Sequence, residues 1–572
     1  MSIKQQKLDK LWQTAQSAFN SSNYKAAISA LQKIQRSNAG LSRQGLYLLA
    51  ECRFQLLDFS KAWALLENLT AKYTNLTPIE LNLKGRTSFK LGDSALASEY
   101  FVQATQAGND SYADASRIAA AELFNKLGDF QRSVDVLLPL LSKSDFYLHT
   151  CNLLIEAYSK QGHKQDAHAL VEQLTQRYLL EGSIEQALHA ALMLIDAGYY
   201  EQARKLLEKS KHEPNILNEV AEVLLLAHNG EYQKCVTKYE AIRSGDHKAI
   251  NYDLARVYDK LGNYEESFQL VQRAAQLHLK ERTLTPLNRQ AVKKLLTKVL
   301  DRRESGEKDN TESPVFMGGF PRSGTTLLET ALDTQKQLYI FSEADTMAPV
   351  IAAMYSQYGY TYPQDLAKLD DEKIDFLRGV YLSYAKRYFN NDDVKLGQIV
   401  DKSPYHTIAL PLILTLFPNA RVITPIRHPF DVLLSCFKQN FSSHAFNDLL
   451  LTLDSATELY KTTFEMWLYF KERVGENFLE IKYEDIVQDF DNQMQQVFDF
   501  IGIEADDSYK EFDKFAREKK HVTSASKGQV TQKLYKGSIN TWHNYADKLL
   551  PYAPQLESIA AHYGYSLSFD DK

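Results

Sequence analysis

The first half of the chain repeats itself with a period near 34 residues. Aligned on a recurrent turn, the pairs Asn23-Tyr24, Asp58-Phe59, Asp93-Ser94, Asp129-Phe130, His163-Lys164, Tyr199-Tyr200, Glu231-Tyr232 and Asn263-Tyr264 follow at spacings of 35, 35, 36, 34, 36, 32 and 32. Glycine precedes the pair at Gly92, Gly128, Gly162, Gly198, Gly230 and Gly262, which suits a helix end that needs positive φ. Three residues after each pair runs a column of mostly small side chains: Ala27, Ala62, Ala97, Ser133, Ala167, Ala203, Cys235 and Ser267. Small residues at fixed positions let two helices approach closely. Eight units keeping phase argue against coincidence, and the recurrent turns read as joints between paired helices across residues 1–283.

A chain of 572 residues has room for more than one domain. Residues 284–300 read as a closing helix, and Arg302–Ser313 (RRESGEKDNTES) as a polar linker, giving a 284–312 connection. From 313 to 572 short β-type runs alternate with helical segments, which predicts an α/β domain with a mainly parallel sheet. With 44% hydrophobic and 24% charged residues the composition is that of a soluble globular protein. A net charge of −6 gives no case for binding nucleic acid or a membrane surface. The N-terminus lacks the apolar core of a signal peptide, and no run is long enough to span a bilayer. Cys52, Cys151, Cys235 and Cys436 lie far apart without metal or redox spacing, so free thiols and a cytoplasmic location are expected.

The second domain opens on VFMGGFPRSGTTLL, Val315–Leu328. It reads as a buried strand, a glycine turn and a helix N-terminus, an arrangement that presents free N–H groups and a positive dipole end to an anion. Gly319 and Gly324 have the spacing of the nucleoside-triphosphatase loop, G-x-x-x-x-G-K-S/T, but Thr325 stands where that loop needs lysine. The cation, Arg322, comes earlier, and Thr325 and Thr326 put two hydroxyls at the helix start. This departs from a magnesium-nucleotide loop and suits a phosphosulfate. A capped helix after a glycine turn is the plainer alternative.

Five apolar runs are predicted strands: Val315–Met317, Leu338–Phe341, Gln398–Val400, Arg421–Ile426 and Phe478–Ile481. They lead in turn to Arg322, Glu343, Lys402, Arg427 and Tyr483. Ligands of open α/β sheets sit beyond the carboxyl ends of the strands, so the coincidence of five outweighs any one motif. Taken singly, Glu343 and Lys402 also read as surface charges or a simple ion pair, and Arg427 as a strand-end cap.

The repeat half, with its period and its G-x-Y-x-x-A turns, resembles the tetratricopeptide family, which implies a superhelix with a concave face. Residues 313–565 resemble the sulfotransferases that use 3′-phosphoadenosine-5′-phosphosulfate, PAPS. PRSGTT at 321–326 looks like their 5′-phosphosulfate loop, and RVITPIRHPFDVLLS at 421–435 like their 3′-phosphate motif. The resemblance implies that Arg322, Ser323, Gly324, Thr325 and Thr326 hold the 5′ side, and that Arg427 and Ser435 hold the 3′-phosphate. FSEADT at 341–346, DKSP at 401–404, YED at 483–485 and SKGQVTQKLYKGSINTW at 526–542 are most similar to the protein-tyrosine sulfotransferases and their bacterial repeat-fused relatives. By that likeness Glu343 is the base, Lys402 and Ser526 steady the leaving phosphate with Arg322, and Tyr483 contacts the nucleotide. Two features depart from the pattern. Gln439, with Lys438 beside it, stands where the family has a further cation. Thr541 precedes Trp542 where the family has a late lysine, leaving Lys533 or Lys536 to substitute.

The resulting expectation is sulfuryl transfer from PAPS to tyrosine in a protein or peptide held by the repeat arm, with no metal. A carbohydrate, lipid or small-alcohol acceptor is the nearest alternative, and an inactive repeat-based binding module is the alternative from another class. A homodimer through the arm stays open.

Overall fold

The computed structural model describes residues 3–37, 40–91, 93–127, 129–161, 163–209, 215–242, 248–280, 312–344, 346–389, 391–441, 445–518, 534 and 536–568. The expected closing helix at 284–300 and most of the polar linker lie outside the described residues. The chain forms two compact units, one of residues 1–163 with 345–394, the other of 164–344 with 395–572. No helix among the described residues is long and apolar enough to cross a membrane.

The first unit is helical. Ile3–Asn20 pairs with Tyr24–Gln35, Arg43–Gln55 with Phe59–Lys72, Pro78–Lys90 with Ser94–Ala107, and Ser111–Leu127 with Phe130–Leu137. The turns explain the pairing. Asn23, Asp93 and Asp129 each accept a backbone N–H three residues on, which satisfies an orphan donor at the start of the second helix. Where the repeat lacks its glycine, Ser22 and Leu57 take positive φ themselves, at 57° and 60°. A second helical pair, Met347–Tyr358 and Asp371–Phe389, packs on Phe59–Lys72 and Ser94–Ala107. Arg387 Nη2 reaches Asp93 Oδ2 at 2.7 Å there. Burial pushes the Asp93 carboxyl up, against the pull of Arg387.

In the second unit the repeat helices run from Lys164–Leu180 to Tyr264–Lys280, making sixteen described α-helices before the sheet. Gly198, Gly230 and Gly262 hold φ of 87°, 74° and 76°, as their place at the helix end demands. All eight members of the small-residue column, across both units, are fully buried. Ser133 Oγ donates to Ala121 O and Cys235 Sγ to Val223 O on the first helix of their pairs, so a larger side chain at either position would force the two helices apart.

The sheet has five parallel strands: β1 (Val315–Met317), β2 (Tyr339–Ser342), β3 (Ile399–Lys402), β4 (Arg421–Ile426) and β5 (Phe478–Lys482). Their order is β2-β3-β1-β4-β5. The chain leaves β1 for one side of the sheet and later crosses to the other, so the loop after β1 lies at the switch point where such sheets bind ligands. β3 runs Ile399–Lys402 rather than ending at Val400, so this lysine is the last strand residue; Met317 and Ser342 flank it in register.

Alternation along β1 sends Val315 and Met317 to one face, packed with Leu328, Leu332, Ile423 and Phe498, while Phe316 turns to the other against Phe417. At about 25 cal/mol per Å² of apolar surface, each large side chain buried here contributes roughly 1.5–3 kcal/mol. That packing fixes where the strand ends fall.

Candidate functional site

The loop after β1 is shaped by backbone that few residues tolerate. Gly319 has φ of 129° and Gly324 of 107°, and Arg322 between them takes 70°. A Cβ at Gly324 would stand 2.7 Å from the Tyr483 ring, so glycine is required there by space as well as by conformation. Gly319 N–H donates to Thr407 Oγ1 at 2.9 Å, and the Ser323 hydroxyl donates to Phe320 O at 2.7 Å. Gly324 then caps the helix Thr325–Leu332, with Thr325 and Thr326 buried in its first turn.

Arg322 and Arg427 meet over this loop. Arg322 Nε donates to Ser435 Oγ at 3.0 Å. Arg427 donates from Nη1 to Arg322 O at 2.9 Å and from Nη2 to Ser538 O at 2.6 Å. Its guanidinium lies over the Tyr483 ring, 4.8 Å from the centroid. Arg427 is 7% exposed, and its Nε has no hydrogen-bond partner among the described residues. Burial first, and Arg427 beside it, pull the Arg322 guanidinium below its ordinary value. Two desolvated cations, one with an unmet donor, make a place that an anion would stabilise.

Lys402 and Glu343 form the second cluster. The Lys402 side chain is 0% exposed and donates to Glu343 Oε1 at 2.7 Å. Glu343 is 37% exposed, so one carboxylate edge faces solvent while the lysine stays inside. Its backbone takes φ of 55°, and its N–H donates to Lys402 O at 2.8 Å, which sets the side chain at the strand end. Burial pulls Lys402 down, but the neighbouring carboxylates outweigh it and raise its pKa.

The late segment is held in place by residues that pattern alone did not single out for function. Asp431, 0% exposed, accepts from Asn540 N–H, Thr541 Oγ1 and Trp542 N–H at 2.8, 2.8 and 2.9 Å. Asp431 lies in the first turn of the helix Pro429–Phe437 and also anchors the segment that brings Ser538 to Arg427 and Tyr483, whose hydroxyl pairs with Ser538 Oγ at 2.7 Å. Glu484 accepts from His428 N–H at 3.0 Å and from the Tyr565 hydroxyl at 2.6 Å. Nothing local marks Asp431 or Ser538, because their partners lie from 55 to 111 residues away. Glu329 was also missed, although an acid inside the apolar run TTLLETAL was a signal.

Lys438, beside the expected further cation, is committed elsewhere: its Nζ bonds Asp259 Oδ1 and the Tyr545 hydroxyl. Ser526 and Lys533 lie outside the described residues. Lys536 opens a short 3-10 turn, Lys536–Ser538, and its side chain is likewise outside what is described.

Residues 314–507 match the family described as Sulfotransferase family. An uncharacterized protein of Aquifex aeolicus is 24% identical over 318 residues, covering 53% of this chain and 40% of that one. Protein-tyrosine sulfotransferase A of Caenorhabditis elegans is 24% identical over 202 residues, covering 35% of this chain and 52% of that one. The chain thus spans about half the length of the curated relatives it matches, or less. A solved sulfotransferase domain of the Synechococcus PCC 7002 olefin synthase aligns with 46% of this chain and 100% of its own, at 19% identity and a TM-score of 0.33. The C-terminal region therefore carries a sulfotransferase domain, similar to that of the protein-tyrosine sulfotransferases.

Proposed function

We propose that the chain transfers a sulfuryl group from PAPS to a hydroxyl, with tyrosine in a protein or peptide as acceptor. The strongest support is one relationship. The buried Lys402 pairs with the solvent-facing Glu343, and the loop after the neighbouring strand β1 carries Arg322 within hydrogen-bond reach of Arg427 through its carbonyl. Arg322, Arg427, Ser435 and the N–H groups at the start of Thr325–Leu332 suit the two phosphate ends of PAPS, and the unmet Nε of Arg427 is the donor that fits it. When bound, PAPS supplies an activated sulfuryl group on a stable leaving group.

Glu343 takes the acceptor's proton as its oxygen bonds to sulfur; a phenol with a pKa of about 10 needs that help at neutral pH. Lys402 offsets the charge that builds on the bridging oxygen as its bond to sulfur breaks and the electron pair leaves with 3′,5′-adenosine bisphosphate. Losing one such donor typically costs about 10²–10³ in rate. A polypeptide acceptor gives the helical hairpins a use, as an arm that holds it. Four free buried thiols favour a reducing, cytoplasmic setting.

The test is transfer of radiolabelled sulfate from PAPS by the purified chain to a panel of a tyrosine peptide, a free phenol, an oligosaccharide and a simple alcohol. Label on the peptide tyrosine is expected. Label confined to sugar or alcohol overturns the acceptor. No calorimetric binding of 3′,5′-adenosine bisphosphate overturns the whole reading. Glu343→Gln should bind the bisphosphate normally and turn over roughly 10²–10⁴-fold more slowly.

A further inference from the structure

Glu329 is the fifth residue of Thr325–Leu332, a helix in which every side chain is buried. Its side chain is 5% exposed, and Oε2 lies 2.7 Å from Lys402 Nζ. The approach is ionic, without the direction of a hydrogen bond. Glu343 Oε1 accepts from the same Nζ at 2.7 Å. One ammonium with no access to water therefore sits between two carboxylates, one sealed inside and one open to solvent.

We propose that Glu329 is a positioning residue that acts through Lys402: it is the resident counter-charge that keeps Lys402 a cation while Glu343 is neutralised by the acceptor's proton. This role rests on the proposed sulfuryl-transfer reading of the site. At the moment of proton transfer Glu343 changes from carboxylate to neutral acid and lets go of the ammonium. A buried ammonium without a partner would shed its proton. It would then have no charge to set against the bridging oxygen. Glu329 is out of the acceptor's reach, because its side chain is 5% exposed on the buried helix Thr325–Leu332, so Lys402 keeps one counter-charge and is released on one side only.

The other ionisable groups nearby do not fill this role. Arg322 and the Tyr405 hydroxyl act on Glu343 rather than on Lys402. Asp401 points from the opposite face of β3 and is paired with His406 Nε2 at 2.8 Å. Glu329 is also the foremost of the two carboxylates that raise Lys402 against the effect of burial.

The experiment is the pH profile of kcat for the full chain with PAPS and a tyrosine peptide, in the unsubstituted protein and in Glu329→Gln. Lys402 must be protonated to act, and losing Glu329 lowers its pKa. The alkaline limb in Glu329→Gln should therefore move down by about one pH unit or more, so that kcat falls about tenfold or more at a pH on the descending limb of the unsubstituted protein. Affinity for 3′,5′-adenosine bisphosphate near neutrality should change by less than about twofold, since Lys402 keeps its proton there and Arg322 and Arg427 are untouched. Glu329→Asp, which keeps the charge, should restore the limb. Transfer with an unmoved limb in Glu329→Gln overturns this proposal alone; no transfer by the unsubstituted chain overturns the sulfuryl-transfer reading instead. Should Glu329→Gln fail to fold, the double variant Glu329→Gln/Lys402→Met removes both buried charges. Its folding where the single variant does not would support the counter-charge role, and failure of both would overturn it.

Discussion

Arg322 Nε donates to Ser435 Oγ at 3.0 Å, joining residues 113 positions apart. This bond joins the loop after β1 to the helix Pro429–Phe437 across the proposed nucleotide site. Ser435→Ala removes the acceptor from a charged donor, a loss of about 1.5 kcal/mol and hence roughly tenfold in affinity. Calorimetry with 3′,5′-adenosine bisphosphate checks it; unchanged affinity would mean that the bond does not shape the site.

Asp431→Asn should destabilise the chain by about 1–3 kcal/mol, because an amide turns an N–H₂ toward donors that the carboxylate now accepts. The buried oxygens of Asp431 serve Asn540, Thr541 and Trp542 together. The urea midpoint should fall, and bisphosphate affinity with it, since Ser538 loses its mooring. A midpoint equal to that of the unsubstituted chain counts against the anchoring role.

Gly324→Ala meets two obstacles at once: φ of 107° and a Tyr483 ring carbon 2.7 Å from the new Cβ. The expected destabilisation is about 1–3 kcal/mol. Tyr483 would have to withdraw from Ser538, so nucleotide affinity should fall as well. A fully stable, fully binding alanine variant would show that the loop relaxes more easily than its packing implies.

The thiols should be silent in the folded chain. Burial pushes Cys52 and Cys235 up to about 11 and Cys436 up to about 12, and Cys151 is buried too. The thiolate is the reactive form, so at mildly alkaline pH a colorimetric thiol reagent should find almost no thiol in native protein. In denaturant it should find four. Rapid reaction of the native chain would contradict the packing around these residues.

Much of this molecule was legible without coordinates where a pattern is local. The small-residue column follows from helix periodicity, and all eight members proved buried. The five strands were readable because each is a short apolar run bounded by turn residues, and only the ends moved, most usefully at Lys402. Arg322, Glu343, Arg427 and Tyr483 could be picked out because ligands gather at the carboxyl ends of parallel strands.

Glu329, Asp431 and Ser538 escaped for the opposite reason. An acid in a helix is ordinarily solvated, and an aspartate after proline ordinarily starts a helix. Only the partners show the further role: Lys402 on β3 for Glu329, the late segment for Asp431, and Arg427 with Tyr483 for Ser538.

The sequence alone determined the periodic arm, the five strands and the glycine loop after the first of them, because each depends on residues within one turn or one strand of each other. The tertiary structure decided which charges meet. It buried Lys402 between Glu329 and Glu343, and it turned Lys438 toward Asp259 and away from the site. Burial and distance set the strength of a charge, and both are fixed only when strands distant in the chain pack side by side.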